Sequence, residues 1–148
     1  MEEDYSSRIY YYGALLAIIF VGLAFIIGHK KNDIDFCRDV FAGLIKGDYS
    51  VQQYIDWNNF KGLDTDVGTT YFQLPNEKER TAYRKAFIKG VSMGFQNGRV
   101  GLDKFTHWRV YNKAKDKVII ATDFSKKVLL FEISKGAAGR TLTSLQWR

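Results

Sequence analysis

The sequence is poor in the residues that most often carry chemistry or fix a small fold covalently. It has one cysteine, Cys37, one proline, Pro75, and two histidines, His29 and His107. A single cysteine excludes an internal disulfide and a four-cysteine zinc site, and it leaves the redox compartment open. There is no phosphate-binding glycine loop, no G-x-S-x-G elbow and no H-E-x-x-H pair, so those reaction classes lose their usual signatures. "DTDVG", Asp64 to Gly68, has the beginning of a calcium loop but not its third acidic position or its distal glutamate. No metal and no cofactor are expected. With one proline, no low-complexity tract and no repeat, nothing marks a boundary between two folded domains.

What is present begins with a long apolar run. "RIYYYGALLAIIFVGLAFIIGHKK" contains twenty consecutive uncharged residues, from Ile9 to Gly28. As a helix they would extend about 30 Å, the thickness of a bilayer's hydrocarbon core. The start is acidic (Glu2, Glu3, Asp4), the run exceeds an export signal's apolar stretch, and "GHKK" offers no small-residue cleavage site. Tyr10, Tyr11 and Tyr12 suit one membrane interface, and His29, Lys30 and Lys31 the other. The expected division is a tail at 1–8, a transmembrane helix at 9–28, a linker at 29–34 and a soluble domain at 35–148. Gly13, Ala17, Ala24 and Gly28 share one helical stripe, a surface on which a membrane helix of a partner or of a second copy would pack.

Setting Arg8 apart from the 22 Lys/Arg, and Glu2, Glu3 and Asp4 apart from the 16 Asp/Glu, leaves residues 29–148 with a net charge of +8. Anionic lipid headgroups are therefore a candidate partner besides ordinary solvent. Nucleic acid is not expected: the lysines at 113, 115, 117, 126 and 127 sit at strand ends, where they discourage edge pairing. Arg8 before the run and Lys30, Lys31 and Arg38 after it tilt the domain toward the cytoplasm.

Periodicity changes once along the soluble part. In "DIDFCRDVFAGLIKGDY", Phe36, Val40, Phe41, Leu44 and Ile45 fall at helical spacing, with Asp33 or Asp35 as N-cap and Gly47 as the stop. "SVQQYIDWNNF" reads as a shorter helix capped by Ser50, with Val51, Tyr54, Ile55 and Trp57 inward. "KGLDTDVGTTYFQLPN" reads as irregular. A long helix is expected at 77–97, with Asn76 and Glu79 forming a capping box and Tyr83, Ala86, Phe87, Gly90, Val91 and Gly94 on one face. Gly90 and Gly94 would leave a flat patch for a sheet or a ligand. After Gly101 the period becomes two: "FTHWRVYN", "KVIIATDF", "KVLLFEIS" and "RTLTSLQW" read as four strands joined by hairpins. Trp108, Val110, Ile120, Leu130, Phe131 and Trp147 are core candidates, with the inward strand face left open. The expected fold class is α+β: the N-terminal transmembrane helix, then helices packed on a four-stranded antiparallel sheet.

This order, with inward aromatics in "VFAGLIKGDY" and "YIDW", resembles the cone-shaped nuclear-transport-factor-2-like and cystatin-like folds over residues 35–148. The resemblance implies a curved sheet wrapped on helices around a cone. Membrane-anchored relatives of that fold include assembly subunits of bacterial secretion channels, which implies a single-pass inner-membrane protein with its domain on the extracytoplasmic side. The basic flank after the apolar run argues the other way, and the side stays open at this point.

The residues then give two functional readings. His107 and Arg109 share a strand face, and Asp123 lies on the next strand, so they can meet as a base or as a surface ion-pair ladder. Tyr83, Phe87, His107, Trp108 and Asp123 form the candidate pocket. Cys37 lies beside Phe36 and Phe41 and reads as a buried thiol. With no dense titratable set at motif spacing, the expectation is a non-catalytic, membrane-anchored accessory or assembly subunit of a larger complex. The alternative is a small-molecule binder or isomerase-like enzyme using Asp123 or His107.

Overall fold

Helix α1 (Asp33–Lys46) is apolar on the side that Cys37, Val40, Phe41, Leu44 and Ile45 share, and all five are buried. The structure, a computed structural model, describes residues 32–148. Residues 33–148 form one unit. α1 begins at Asp33, inside the stretch expected as linker, and ends as expected at Gly47. Gly47 takes φ +72°, and a Cβ there would come within 3.1 Å of the Ser92 hydroxyl, so both the backbone and the space favour glycine. Ser92 is buried and donates to the Ile45 carbonyl at 2.8 Å, tying the end of α1 to the long helix.

A 3₁₀ turn follows (Tyr49–Tyr54), capped by Asp48, whose carboxylate accepts from the Ser50 N–H at 2.9 Å. Ser50 is thus the capped residue and not the cap. Val51, Ile55 and Trp57 are buried as expected, while Tyr54 stands out into solvent and meets Phe36 edge-on. Next come two strands of two residues, β1 (Lys61–Gly62) and β2 (Thr65–Asp66), then the short helix α2 (Val67–Phe72). The long helix α3 runs Glu77–Asn97, the span read from the sequence, and its capping box is complete. Asn76 accepts from the Glu79 N–H at 2.9 Å and donates to the Glu79 carboxylate at 3.1 Å.

The meander supplies β3 (Thr106–Lys113), β4 (Lys117–Phe124), β5 (Lys127–Gly136) and β6 (Gly139–Trp147), all antiparallel. The expected four-stranded antiparallel sheet is corrected here: the sheet has six strands in the order β2-β1-β6-β5-β4-β3 and is mixed, because β1 runs parallel to β6. Lys61 lies opposite Ser144 and Gly62 opposite Leu145, and the Leu63 N–H continues the pairing to the Leu145 carbonyl at 2.7 Å. β1 turns into β2 through Leu63 and Asp64, both at positive φ, the backbone of a tight hairpin turn. Two-residue strands have no period, which is why "KGLDTDVG" reads as irregular. No helix among the described residues is long and apolar enough to cross a membrane. The expected transmembrane helix 9–28, with its stripe Gly13, Ala17, Ala24 and Gly28, lies outside the described residues.

The layering also differs from expectation. α1, not α3, lies directly on β3, β4 and β5, and α3 packs chiefly on α1 and the 3₁₀ turn. The side chains explain this: α3 buries only Ile88, Val91 and Ser92, whereas α1 offers Phe41, whose ring meets Phe95, Phe105, Trp108 and Phe131. On the sheet, Val118, Ile120, Leu129, Phe131, Ile133, Leu142 and Leu145 complete the core. Trp108 and Trp147 are half-buried against it, and Val110 is exposed. Leu130 lies across from Ala121 and Gln146, on the opposite face.

Asp33, expected as a cap, is instead an ion-pair centre. Its side chain is only 13% exposed and accepts from Lys135 Nζ at 2.7 Å and Arg140 Nε at 2.8 Å, joining α1 to the β5–β6 hairpin. Burial raises its pKa, but the bonds and charges of Lys135 and Arg140 outweigh that and hold the carboxyl below its ordinary value. Replacing Asp33 with alanine leaves two cations facing each other, and the expected loss is about 1–3 kcal/mol at neutral pH. A depressed native pKa makes this contribution complete above the unfolded carboxylate range, about 4, and lost as pH falls through the native value. Urea unfolding of wild type and Asp33→Ala should therefore show a gap at pH 7 that closes in acid.

Candidate functional site

The gap left where α3 stands off the sheet is an open groove of about 520 Å³. One wall is the face of α3 carrying Ala86, Phe87, Gly90, Val91, Gly94 and Phe95. The other is built by Gly62, Leu63 and Thr65 from the β1–β2 hairpin, with Phe124 and Trp147 from the ends of β4 and β6, and Val100 at the exit of α3. No lining residue is titratable, and the polar side-chain groups are the Thr65 hydroxyl and the Trp147 indole N–H. The site can hold an apolar body by area removed from water; it has no group to move a proton.

The floor is set by glycine. A Cβ at Gly90 or Gly94 would meet nothing within 4 Å. Each glycine inside a helix costs about 1 kcal/mol relative to alanine, so neither the backbone nor packing within this domain calls for them. Their effect is depth: Ala86, Gly90 and Gly94 lie one turn apart and keep the helix surface bare.

The titratable candidates lie elsewhere. Arg109 Nη1 donates to Asp123 at 2.9 Å, and His107 Nδ1 lies 3.4 Å from the other Asp123 oxygen, so the three do meet across β3 and β4. They do so in solvent, on the strand face away from the core, with the His107 side chain 78% exposed. His107 sits at φ +52° where the β3–β4 register shifts, which turns its ring outward from the run of the strand. Trp108 points into the core, its Nε1–H donating to the Phe105 carbonyl at 3.1 Å. Tyr83 stacks obliquely on Tyr71. Of the candidate pocket residues, only Phe87 lines the groove.

Asp66 of "DTDVG" accepts from the Thr69 N–H at 3.1 Å and from its hydroxyl at 2.9 Å, capping α2, and these bonds hold its carboxyl below the ordinary range. Among the described residues no group of acidic, histidine or cysteine side chains is arranged to hold a metal. Cys37 is fully buried, and burial first, then the Asp33 charge, pushes its thiol well above the ordinary range, so it is unreactive in the folded chain.

The α3 wall of the groove was legible in the sequence as the small-residue face of a helix. Leu63 and Thr65 were not, because they sit on or between two-residue strands. Comparison of the chain with family models, with curated proteins and with solved structures finds no match.

Two outcomes follow from this geometry. Gly90→Ala and Gly94→Ala are each expected to raise stability by about 0.5–1 kcal/mol, read as a higher urea midpoint at unchanged slope. Asp123→Ala is expected to change stability by less than about 1 kcal/mol, since the pairs it breaks are exposed and screened.

Proposed function

We propose that the protein is a non-catalytic accessory subunit of a membrane complex, attached through its uncharged segment 9–28, and that the groove beneath α3 receives an apolar segment of a partner protein. The observation that carries this reading is the groove itself: an apolar trough with no titratable side chain, floored by glycines that the fold does not require. A helix presenting one apolar stripe fits such a trough, since bare glycine positions let a second backbone come close. The small residues Gly13, Ala17, Ala24 and Gly28 support a second contact in the apolar segment. As part of the same proposal, the helices-then-sheet order supports kinship with the nuclear-transport-factor-2-like folds, and placement on the extracytoplasmic side of an inner membrane.

The second reading is a binder of a small apolar molecule, favoured by a volume within the range of ligand pockets, about 300–1,000 Å³. An isomerase-like enzyme using Asp123 or His107 has less support, because both face solvent across the sheet from the groove.

The test is purification of the full chain in mild detergent with intact-complex mass spectrometry, beside Gly94→Leu. A Cβ there meets nothing within 4 Å, and a leucine takes up space in the trough. The expected result is a partner protein bound to wild type and lost from a Gly94→Leu variant that unfolds at no lower urea concentration. A wild-type chain that runs alone, or a partner indifferent to the substitution, refutes the reading. A small molecule released from wild type and absent from Gly94→Leu establishes the second reading instead. Lys126→Cys labelling in intact cells decides the side, since Cys37 is buried and Lys126 is exposed.

A further inference from the structure

The meander reverses at each turn, so the β3–β4 and β5–β6 turns lie at one end of the sheet and the β4–β5 turn at the other. The first two turns touch: the Lys135 N–H donates to the Asp116 carbonyl at 2.8 Å. The chain enters the domain at this same end, because Asp33, the first residue of α1, is bound by Lys135 and Arg140 of the β5–β6 hairpin. In sequence, Lys30 and Lys31 and the uncharged segment 9–28 come immediately before.

The cations at this end divide into two kinds. Lys135 and Arg140 are taken up by Asp33, and Lys117 by Glu132 at 3.0 Å. Lys113 and Lys115 are exposed and have no ion pair among the described residues. Beside them, the tip Gly136-Ala137-Ala138-Gly139 is exposed and uncharged, and small enough to lie among headgroups. From Gly28 to Asp33 a fully extended chain reaches at most about 18 Å.

We infer that this end of the domain rests on an anionic lipid surface, with Lys113 and Lys115 meeting headgroup phosphates and the 136–139 tip lying between them. The inference rests on the membrane-attached reading above and adds which end of the domain faces the lipid and which lipid charge it requires. A lipid surface is favoured over an acidic protein because the exposed Lys113 and Lys115 lie at the end where the chain leaves toward its apolar segment. A polybasic stretch next to a membrane segment gains about fivefold in surface association per lysine.

The experiment uses the full chain reconstituted into phosphatidylcholine vesicles with and without phosphatidylglycerol. It carries a fluorophore on Ala138→Cys or, at the opposite end, on Lys126→Cys; Cys37 is buried and stays unlabelled. The expected result is that the Ala138 label is shielded from an aqueous quencher in anionic vesicles, exposed in neutral ones, and exposed again in high salt. The Lys126 label stays exposed throughout. Lys113→Glu with Lys115→Glu lowers the shielded fraction by an order of magnitude or more, and its unchanged urea midpoint shows that the fold is intact. Equal accessibility of the Ala138 label in both lipids, in a chain that floats with the vesicles, overturns this inference alone. A chain that floats with neither overturns the attached reading as well. Shielding that appears only on adding a soluble acidic polypeptide, and not with anionic lipid, overturns the lipid in favour of a protein partner.

Discussion

The arrangement depends on one side chain, Phe41. Fully buried on α1, its ring meets Phe95 of α3 at 5.4 Å, Phe105 at 4.8 Å and Phe131 of β5 at 5.1 Å, all near edge-on, with Trp108 of β3 at 6.3 Å. Edge-to-face aromatic pairs add roughly 0.5–1.5 kcal/mol each beyond the area they bury. Three such neighbours and the tilted Trp108, from different elements, fix α1 as a wedge between the sheet and α3. A wedge at one side of a helix holds the helix off the sheet at the other. The trough under Gly90 and Gly94 is the geometric consequence, and it needs no special residue of its own except ones short enough to leave it empty.

The sheet then gives the domain two unlike ends. Phe124 and Trp147, at the ends of β4 and β6, wall the apolar trough, while the opposite ends carry Lys113, Lys115, Lys117, Lys135 and Arg140. β5 has ten residues between those ends, a length of roughly 30 Å. At the basic end Asp33 locks the start of α1 onto the β5–β6 hairpin, Glu132 takes up Lys117, and Asp116 lies in the β3–β4 turn.

Much of this fold was legible in the sequence, and the illegible parts share a cause. α3 could be bounded because its cap is local, Asn76 and Glu79 bonding each other three residues apart. The four meander strands were legible because eight to ten residues give a clear period of two. β1 and β2 were not, since β1 depends on pairing with β6, some eighty residues on, and β2 on pairing with β1 across a turn in which Leu63 takes positive φ, which leucine does not signal. Asp33 was read as a cap because sequence shows only its neighbours; Lys135 and Arg140 lie more than one hundred residues away. The outward turn of His107 comes from an irregular register between β3 and β4 that alternation cannot reveal. Local terms were readable, and terms set by distant pairing were not.

The same contrast bears on where a function is to be sought. Gly47 breaks the helical rule and is repaid at once, by its left-handed backbone and by the approach of Ser92. Gly90 and Gly94 break the rule in mid-helix with no such return, for open space lies above both. A sequence that is locally consistent almost everywhere twice gives up helix stability, one turn apart, over an apolar trough where no described residue supplies the compensation. His107, Arg109 and Asp123 carry more recognisable chemistry, yet their exposed ladder explains itself as a solvated cross-strand pairing. The uncharged trough has no such internal explanation, and so it is the stronger mark of function.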